Sequence, residues 1–239
     1  MNAPQPTLPD EVAKRPLHFF WIVDGSGSMT GRKIATLNQA IREVLPDIQK
    51  ITANHPEVQV WMRAIKFSNE AEWHVGPQAV ELENFVWSEL ATQGCTGTAQ
   101  AIRLLAGELD IEKMPPRGFP PVCILISDGF CTDANEIYDE ALAALEAMPW
   151  GRRAVRLAIA IGSDESEYDE QQLLKFVNHK DVGLLKAHNP SDLIKYIKWA
   201  STAATVGASA GKSKDGGATT GNVVLPPPPK VTPDPSQVF

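Results

Sequence analysis

Three short segments hold the oxygen donors that could bind a hard cation. They are Asp24-Gly25-Ser26-Gly27-Ser28, Gly94-Cys95-Thr96-Gly97-Thr98 and Ser127-Asp128-Gly129. Carboxylates and hydroxyls are hard ligands, and the chain shows no spaced His or Cys set of the kind that zinc takes. Two carboxylates among hydroxyls suit Mg²⁺, which keeps several waters, with Mn²⁺ as a close substitute. Such a site neutralises the ion without over-stabilising it. A coordination position left to water stays electrophilic and can accept one more carboxylate from outside.

Each segment also has a plainer reading. A Gly/Ser turn after a strand is often only a turn, or it binds phosphate on its backbone N–H groups. The dinucleotide fingerprint fails because Thr30 stands where its third glycine belongs. The P-loop pattern fails as well: five residues separate Gly25 from Gly31, and Arg32 follows instead of lysine. A phosphoaspartyl hydrolase wants a second acid two residues after Asp24, where Ser26 stands. Ser-Asp-Gly alone is a common strand-ending turn. The signal is the conjunction of all three segments, in this order, at the ends of elements.

Those elements alternate. Residues 17–23 (LHFFWIV) form a short apolar run, as a strand buried on both faces requires. Ile34, Leu37, Ile41, Val44, Ile48 and Ile51 then recur at helical spacing, with Pro46 expected to kink or split the helix. Strands are expected at 58–67, 73–75 (short, antiparallel), 122–127, 155–161 and 184–187. Helices are expected at 98–109, 136–148, 168–177 and from Ser191 to about Ala200. Buried strands alternating with helices imply a mostly parallel sheet covered on both faces. Sheets of this kind bind ligands at the carboxyl ends of their strands, here just after Val23, Ser127 and Ile161.

The three-segment set resembles the von Willebrand factor A (VWA) family. The metal-ion-dependent adhesion site (MIDAS) of that family is a D-x-S-x-S run, a distant Thr and a distant Asp. Asp24, Ser26 and Ser28 match the run, and Asp128 matches the final Asp. Ala101 and Ile102 place the threonine at Thr96, with Thr98 as its close competitor. The resemblance implies a three-layer, Rossmann-like α/β fold with helices on both faces of the sheet. It also implies hydroxyl ligation by Ser26, Ser28 and Thr96, with Asp24 and Asp128 acting directly or through water. A protein partner would supply an Asp or Glu to the Mg²⁺.

Over residues 15–201 the resemblance narrows to bacterial VWA proteins of the tellurium-resistance TerY type. It is carried by WHV (73–75), SDGFCTD (127–133), PWG (149–151), AIAIG (158–162) and YIKW (196–199), with Cys131 where proline is expected. It implies a cytoplasmic, non-enzymatic scaffold working with a protein kinase and a PP2C-type phosphatase in stress, metal-resistance or phage-defence signalling. Two other readings stand beside it. One is an adaptor for an AAA+ ATPase. The other is a Mg²⁺-dependent phosphohydrolase, which the missing second acid and lysine disfavour.

Composition sets the wider limits. The 239 residues are 43% hydrophobic, enough for a sizeable core, and the net charge of −7 disfavours a protein dedicated to nucleic acid. No apolar run approaches the roughly 18 residues of a membrane span, residues 1–16 lack a signal-like apolar stretch, and three cysteines favour a reducing cytosol over a disulfide scaffold. The expected organisation is an N-terminal tail (1–14), a VWA domain (15–201) and a flexible Gly/Ala/Ser/Thr- and Pro-rich tail (202–239). Six of the nineteen prolines lie in that last tail, which carries a net +1 and leaves −8 on residues 1–201. Cys95 is expected to be small and partly buried, Cys123 to pack in the core, and Arg152, Arg153 and Arg156 to be exposed charges.

Overall fold

The computed structural model describes residues 13–128, 132–210, 223–231 and 239. Six strands form one sheet in the order β3-β2-β1-β4-β5-β6. They are β1 (Arg15–Asp24), β2 (Val58–Phe67), β3 (Ala71–Glu81), β4 (Val122–Ser127), β5 (Val155–Ile161) and β6 (Leu185–Ala187). All neighbours pair in parallel except β2 and β3, which are antiparallel. The helices are α1 (Arg32–Ala53), α2 (Thr98–Glu108), α3 (Asn135–Ala147), α4 (Pro149–Arg153), α5 (Glu170–Phe176) and α6 (Pro190–Ala210).

Strand alternation sorts the core into two layers. Leu17, Phe19, Trp21 and Val23 of β1, with Ile124 and Ile126 of β4, face α1 and α6. Phe20 and Ile22, with Cys123 and Leu125, face α2 and α3. Every residue of β4 and β5 is buried, which accounts for their largely apolar runs, interrupted in β5 by Arg156. The chain winds outward from β1 to β2 and β3, then returns to the other side of β1 to lay down β4. The strand order therefore reverses between β1 and β4, and a crevice opens at their carboxyl ends, where Asp24 and Asp128 stand.

Three elements outrun their expected limits. Strand β3, expected as a short segment at 73–75, runs antiparallel to β2 from Ala71 to Glu81, because its ladder extends to Glu81 opposite Trp61. Helix α1 continues through Pro46 as a single 22-residue helix. Pro46 lies on the exposed side, so the carbonyl it leaves without a helical N–H partner is close to solvent, while Leu37, Ile41, Val44 and Ile48 bury the opposite stripe. Helix α6 runs to Ala210, ten residues past its expected end and into the stretch read as flexible linker. Its small residues serve close packing. Ala204 and Ala208 join the core, and a Cβ on Gly207 would meet Val223 and Leu225 side chains at 2.8 Å. Leu225 and Val231 pack on the same core layer, and His179 Nε2 lies 3.1 Å from the Val223 carbonyl. The linker residues 211–222, and Thr232 with 233–238, lie outside the described residues.

One buried polar residue sets the route into the second candidate segment. Asn38 sits on the buried stripe of α1. Its Oδ1 accepts from the Trp87 indole and the Leu90 N–H, both at 2.9 Å, and its Nδ2 donates to the Leu90 carbonyl at 3.0 Å. Asn38→Ala strands two buried donors and is expected to destabilise the chain by about 2–4 kcal/mol, read by urea denaturation. A change of less than about 0.5 kcal/mol would show that this loop is held by other contacts.

Candidate metal centre

Asp24 closes β1 and is fully buried. The β1–β4 register pairs Val23 with Ile126, so Asp24 lies across from Ser127, and the Ser127 hydroxyl donates to Asp24 Oδ2 at 2.5 Å. Asp24 Oδ1 accepts the Ser26 N–H at 2.8 Å. The Ser26 hydroxyl in turn lies 2.9 Å from the Ser28 hydroxyl. Ser26 is buried and Ser28 exposed, so the D-x-S-x-S run climbs from the sheet to the surface with its oxygens on one side. Both Asp24 oxygens keep acceptor capacity beyond these bonds.

Asp128 follows Ser127 and is 1% exposed. Its charge and that of Asp24 act on each other. Burial pushes the Asp24 carboxyl up to about 6 from its ordinary 3.8; hydrogen bonds from Ser127 and Ser26 pull it down, and Asp128 pushes it up further. Lys33 Nζ stands 4.0 Å from Asp128 Oδ2 and 3.3 Å from Glu167.

The second segment is locked to the first through backbone. Gly25 N–H donates to the Phe67 carbonyl, Gly27 N–H to Gly94, and Gln93 N–H to Gly25, at 2.8–2.9 Å. Gly94 takes φ +71°, and a Cβ there would lie 2.5 Å from the Asn69 side chain, whose Oδ1 accepts the Cys95 N–H at 2.7 Å. Glycine alone satisfies that position. Gly97 N–H donates to the Ser68 carbonyl. Thr96 and Thr98 are both buried beneath these contacts.

The third segment grips the second. Thr132 N–H donates to the Thr96 carbonyl at 2.9 Å. Asp133 Oδ2 accepts the Ala99 N–H at 2.7 Å and so caps α2, whose own N-cap is Gly97 with no side chain to offer. Gly129 and Cys131 lie outside the described residues. Asn38, Asn69 and Asp133 are positioning residues that the motif reading missed. The signal for Asn38 was an amide on the apolar stripe of a helix; Asp133 lay within a quoted segment without a role.

The donor chemistry fits a hard divalent ion. Among the described residues no group of three or more His, Cys, Asp or Glu could hold a metal. An ion here must therefore take hydroxyls beside its two carboxylates, and buried Asp24 and Asp128 need a cation near them. Asp24, Ser26 and Ser28 are joined directly, Asp128 through the Asp24 field, and Thr96 through the loop contacts.

Other expectations meet mixed outcomes. Cys123 is buried, with its thiol pushed up to about 12 by desolvation. Cys95 is exposed, not partly buried. Arg156 is 4% exposed rather than a surface charge. It points inward from β5 and reaches Glu146 at 2.9 Å.

The family model for the von Willebrand factor type A domain matches residues 20–193. Comparison with curated proteins returns no match. Among solved structures, the chain is similar to a von Willebrand factor type A protein from Catenulispora acidiphila, with TM-score 0.60 and 14% identity over 81% of this chain and 43% of that one. It is similar to the ArnB paralog VWA2 from Sulfolobus acidocaldarius, with TM-score 0.56 and 19% identity over 78% and 45%. It is also similar to proximal thread matrix protein 1 of the mussel byssus in a form with a zinc-occupied MIDAS motif, with TM-score 0.57 and 14% identity over 82% and 47%. The chain thus spans less than half the length of these structures. A family match over nearly three quarters of the residues, on a sheet whose order reverses beside Asp24 and Asp128, places this chain in the von Willebrand factor type A domain family.

Proposed function

We propose that this VWA domain is a metal-dependent protein-interaction module, not an enzyme. Asp24, Ser26, Ser28, Thr96 and Asp128 would hold a Mg²⁺ ion, with Mn²⁺ as substitute. The observation that carries the reading is the buried Asp24 carboxylate, fixed by Ser26 and Ser127 beside a second buried carboxylate. The bound ion would supply an electrophilic coordination position for an Asp or Glu side chain of a protein partner. The chain's own part is to hold the donors rigid and to leave Ser28 at the surface, where that side chain would arrive. The described hydrogen bonds of Asp24, Ser26 and Ser28 run to one another and to Ser127, not to a histidine, lysine or cysteine, which supports binding over catalysis.

The finer assignment is a scaffold of the TerY type, cytoplasmic, engaging a Ser/Thr kinase and a PP2C-type phosphatase in stress or tellurium-resistance signalling. It is supported by the segments at 73–75, 127–133, 149–151, 158–162 and 196–199. Among the described residues no helix is long and apolar enough to cross a membrane.

Asp24→Ala and Asp128→Ala are each expected to abolish both the Mg²⁺-induced rise in melting temperature and Mg²⁺-dependent partner capture from the native host. Capture that persists in the double variant with EDTA present would contradict the reading. Asp133→Ala removes a cap and no ligand, so it should cost about 0.5–2 kcal/mol in a denaturation curve and weaken Mg²⁺ binding without abolishing it. Complete loss of binding would instead make Asp133 a ligand.

The raised Asp24 carboxyl has a pH signature. Folded and metal-free, Asp24 keeps its proton up to about pH 6, whereas in the unfolded chain it releases it near 3.8. The folded state therefore binds the extra proton between these values, and Asp24 lowers stability as pH rises through that window, by up to about 3 kcal/mol. In EDTA, wild-type stability minus that of Asp24→Asn should fall between pH 4.5 and 7. A constant difference would show that Asp24 titrates normally.

A further inference from the structure

Lys33 is placed against ordinary preference. It is the second residue of α1, two positions after the N-cap Gly31, whose φ is +87°. The amino end of a helix carries a partial positive charge, so a cation in the first turn is disfavoured unless something offsets it. Lysine also normally keeps its ammonium in water. Here the side chain is only 13% exposed and turns back over the crevice, with Nζ 4.0 Å from Asp128 Oδ2 and 3.3 Å from Glu167 Oε2.

Glu167 is itself held in position. The same Oε2 accepts the Ser163 N–H at 3.0 Å, and its Cβ abuts Gly162, where an added Cβ would meet it at 2.9 Å. Lys33 therefore spans two carboxylates from two different loops. One belongs to the candidate metal set after β4, and the other lies on the loop after β5, outside that set.

This placement has an electrostatic consequence. An ammonium beside Asp128 supplies part of the compensation that a divalent ion would otherwise provide, and the two cations repel each other. Glu167 gives the ammonium a second anchor, so it can stay paired while Asp128 turns to the ion. We propose that Lys33 is a built-in counter-cation that competes with the divalent ion for Asp128, and that Glu167 draws it off, so that the pair sets the metal affinity of the site. The inference rests on the metal-binding reading above and adds the residues that regulate it.

The test is isothermal titration of Mg²⁺, and separately Mn²⁺, into the full chain and its variants. Lys33→Gln is expected to bind about three- to tenfold more tightly than wild type, and Glu167→Gln more weakly by a similar factor. Lys33→Arg should stay near wild type, and the Lys33→Gln/Glu167→Gln double variant should follow Lys33→Gln. In EDTA, Lys33→Gln should melt lower than wild type, because buried Asp128 loses a neighbouring positive charge, and Mg²⁺ should raise its melting temperature by more than it raises that of wild type. Should Lys33→Gln not fold without metal, Glu167→Gln, which keeps the ammonium, decides by its affinity. Unchanged or weaker metal binding by Lys33→Gln, with wild type binding normally, overturns this inference alone and reduces the pair to a tie between α1 and the β5 loop. A wild-type chain that takes up neither ion overturns the metal reading and this inference together.

Discussion

The structure turns on one buried hydrogen bond, from the Ser127 hydroxyl to Asp24 Oδ2 across the seam between β1 and β4. An ionised carboxylate inside a protein is costly unless hydrogen-bonded and compensated by charge. Asp24 meets the first condition through Ser127 and Ser26, and its upward-shifted carboxyl shows that the second is incompletely met by the protein alone. The topology explains why a carboxylate is there at all. Where the winding reverses, two neighbouring strands end with their following loops diverging, which leaves a crevice at their carboxyl ends.

Around that bond the loops brace one another instead of bracing the metal set directly. Backbone contacts from Gly25 and Gly27 fasten the first segment to the second. Thr132 and Asp133 fasten the third to the second, and Asn38 fixes the stretch at Trp87 and Leu90 that leads into the second. Such a network holds hydroxyls in place in the absence of an ion, so less ordering is needed when one binds. Lys33 and Glu167 bring the loop after β5 into the same arrangement.

Much of this was legible in residue order, for identifiable reasons. Strands β2, β4 and β5 have the limits expected from their patterns: β4 is apolar until Ser127, β5 is apolar but for Arg156, and β2 alternates buried and partly exposed positions at its start. The D-x-S-x-S run was legible because its spacing is local. What escaped was non-local or context-dependent. The small residues of α6 beyond Ala200 read as linker, since helical periodicity does not register Ala, Ser, Thr and Gly as apolar. Only the packing of Val223 and Leu225 against Gly207 shows why small size is required there. Arg156 read as a surface charge because its neighbours Arg152 and Arg153 are charged, yet strand alternation turns it inward. Asp133 caps a helix 34 residues earlier in the chain, a relation no short window contains.

The central claim is that a hard divalent ion sits between Asp24 and Asp128. Its most direct test is an anomalous-difference map from crystals of the full chain grown with Mn²⁺. The account predicts one strong peak at the β1–β4 carboxyl ends, in contact with the Ser26 and Ser28 hydroxyls at about 2.1–2.2 Å and reached by Asp24 and Asp128 directly or through water. A well-ordered crevice without a peak, or a peak on other side chains only, would contradict it.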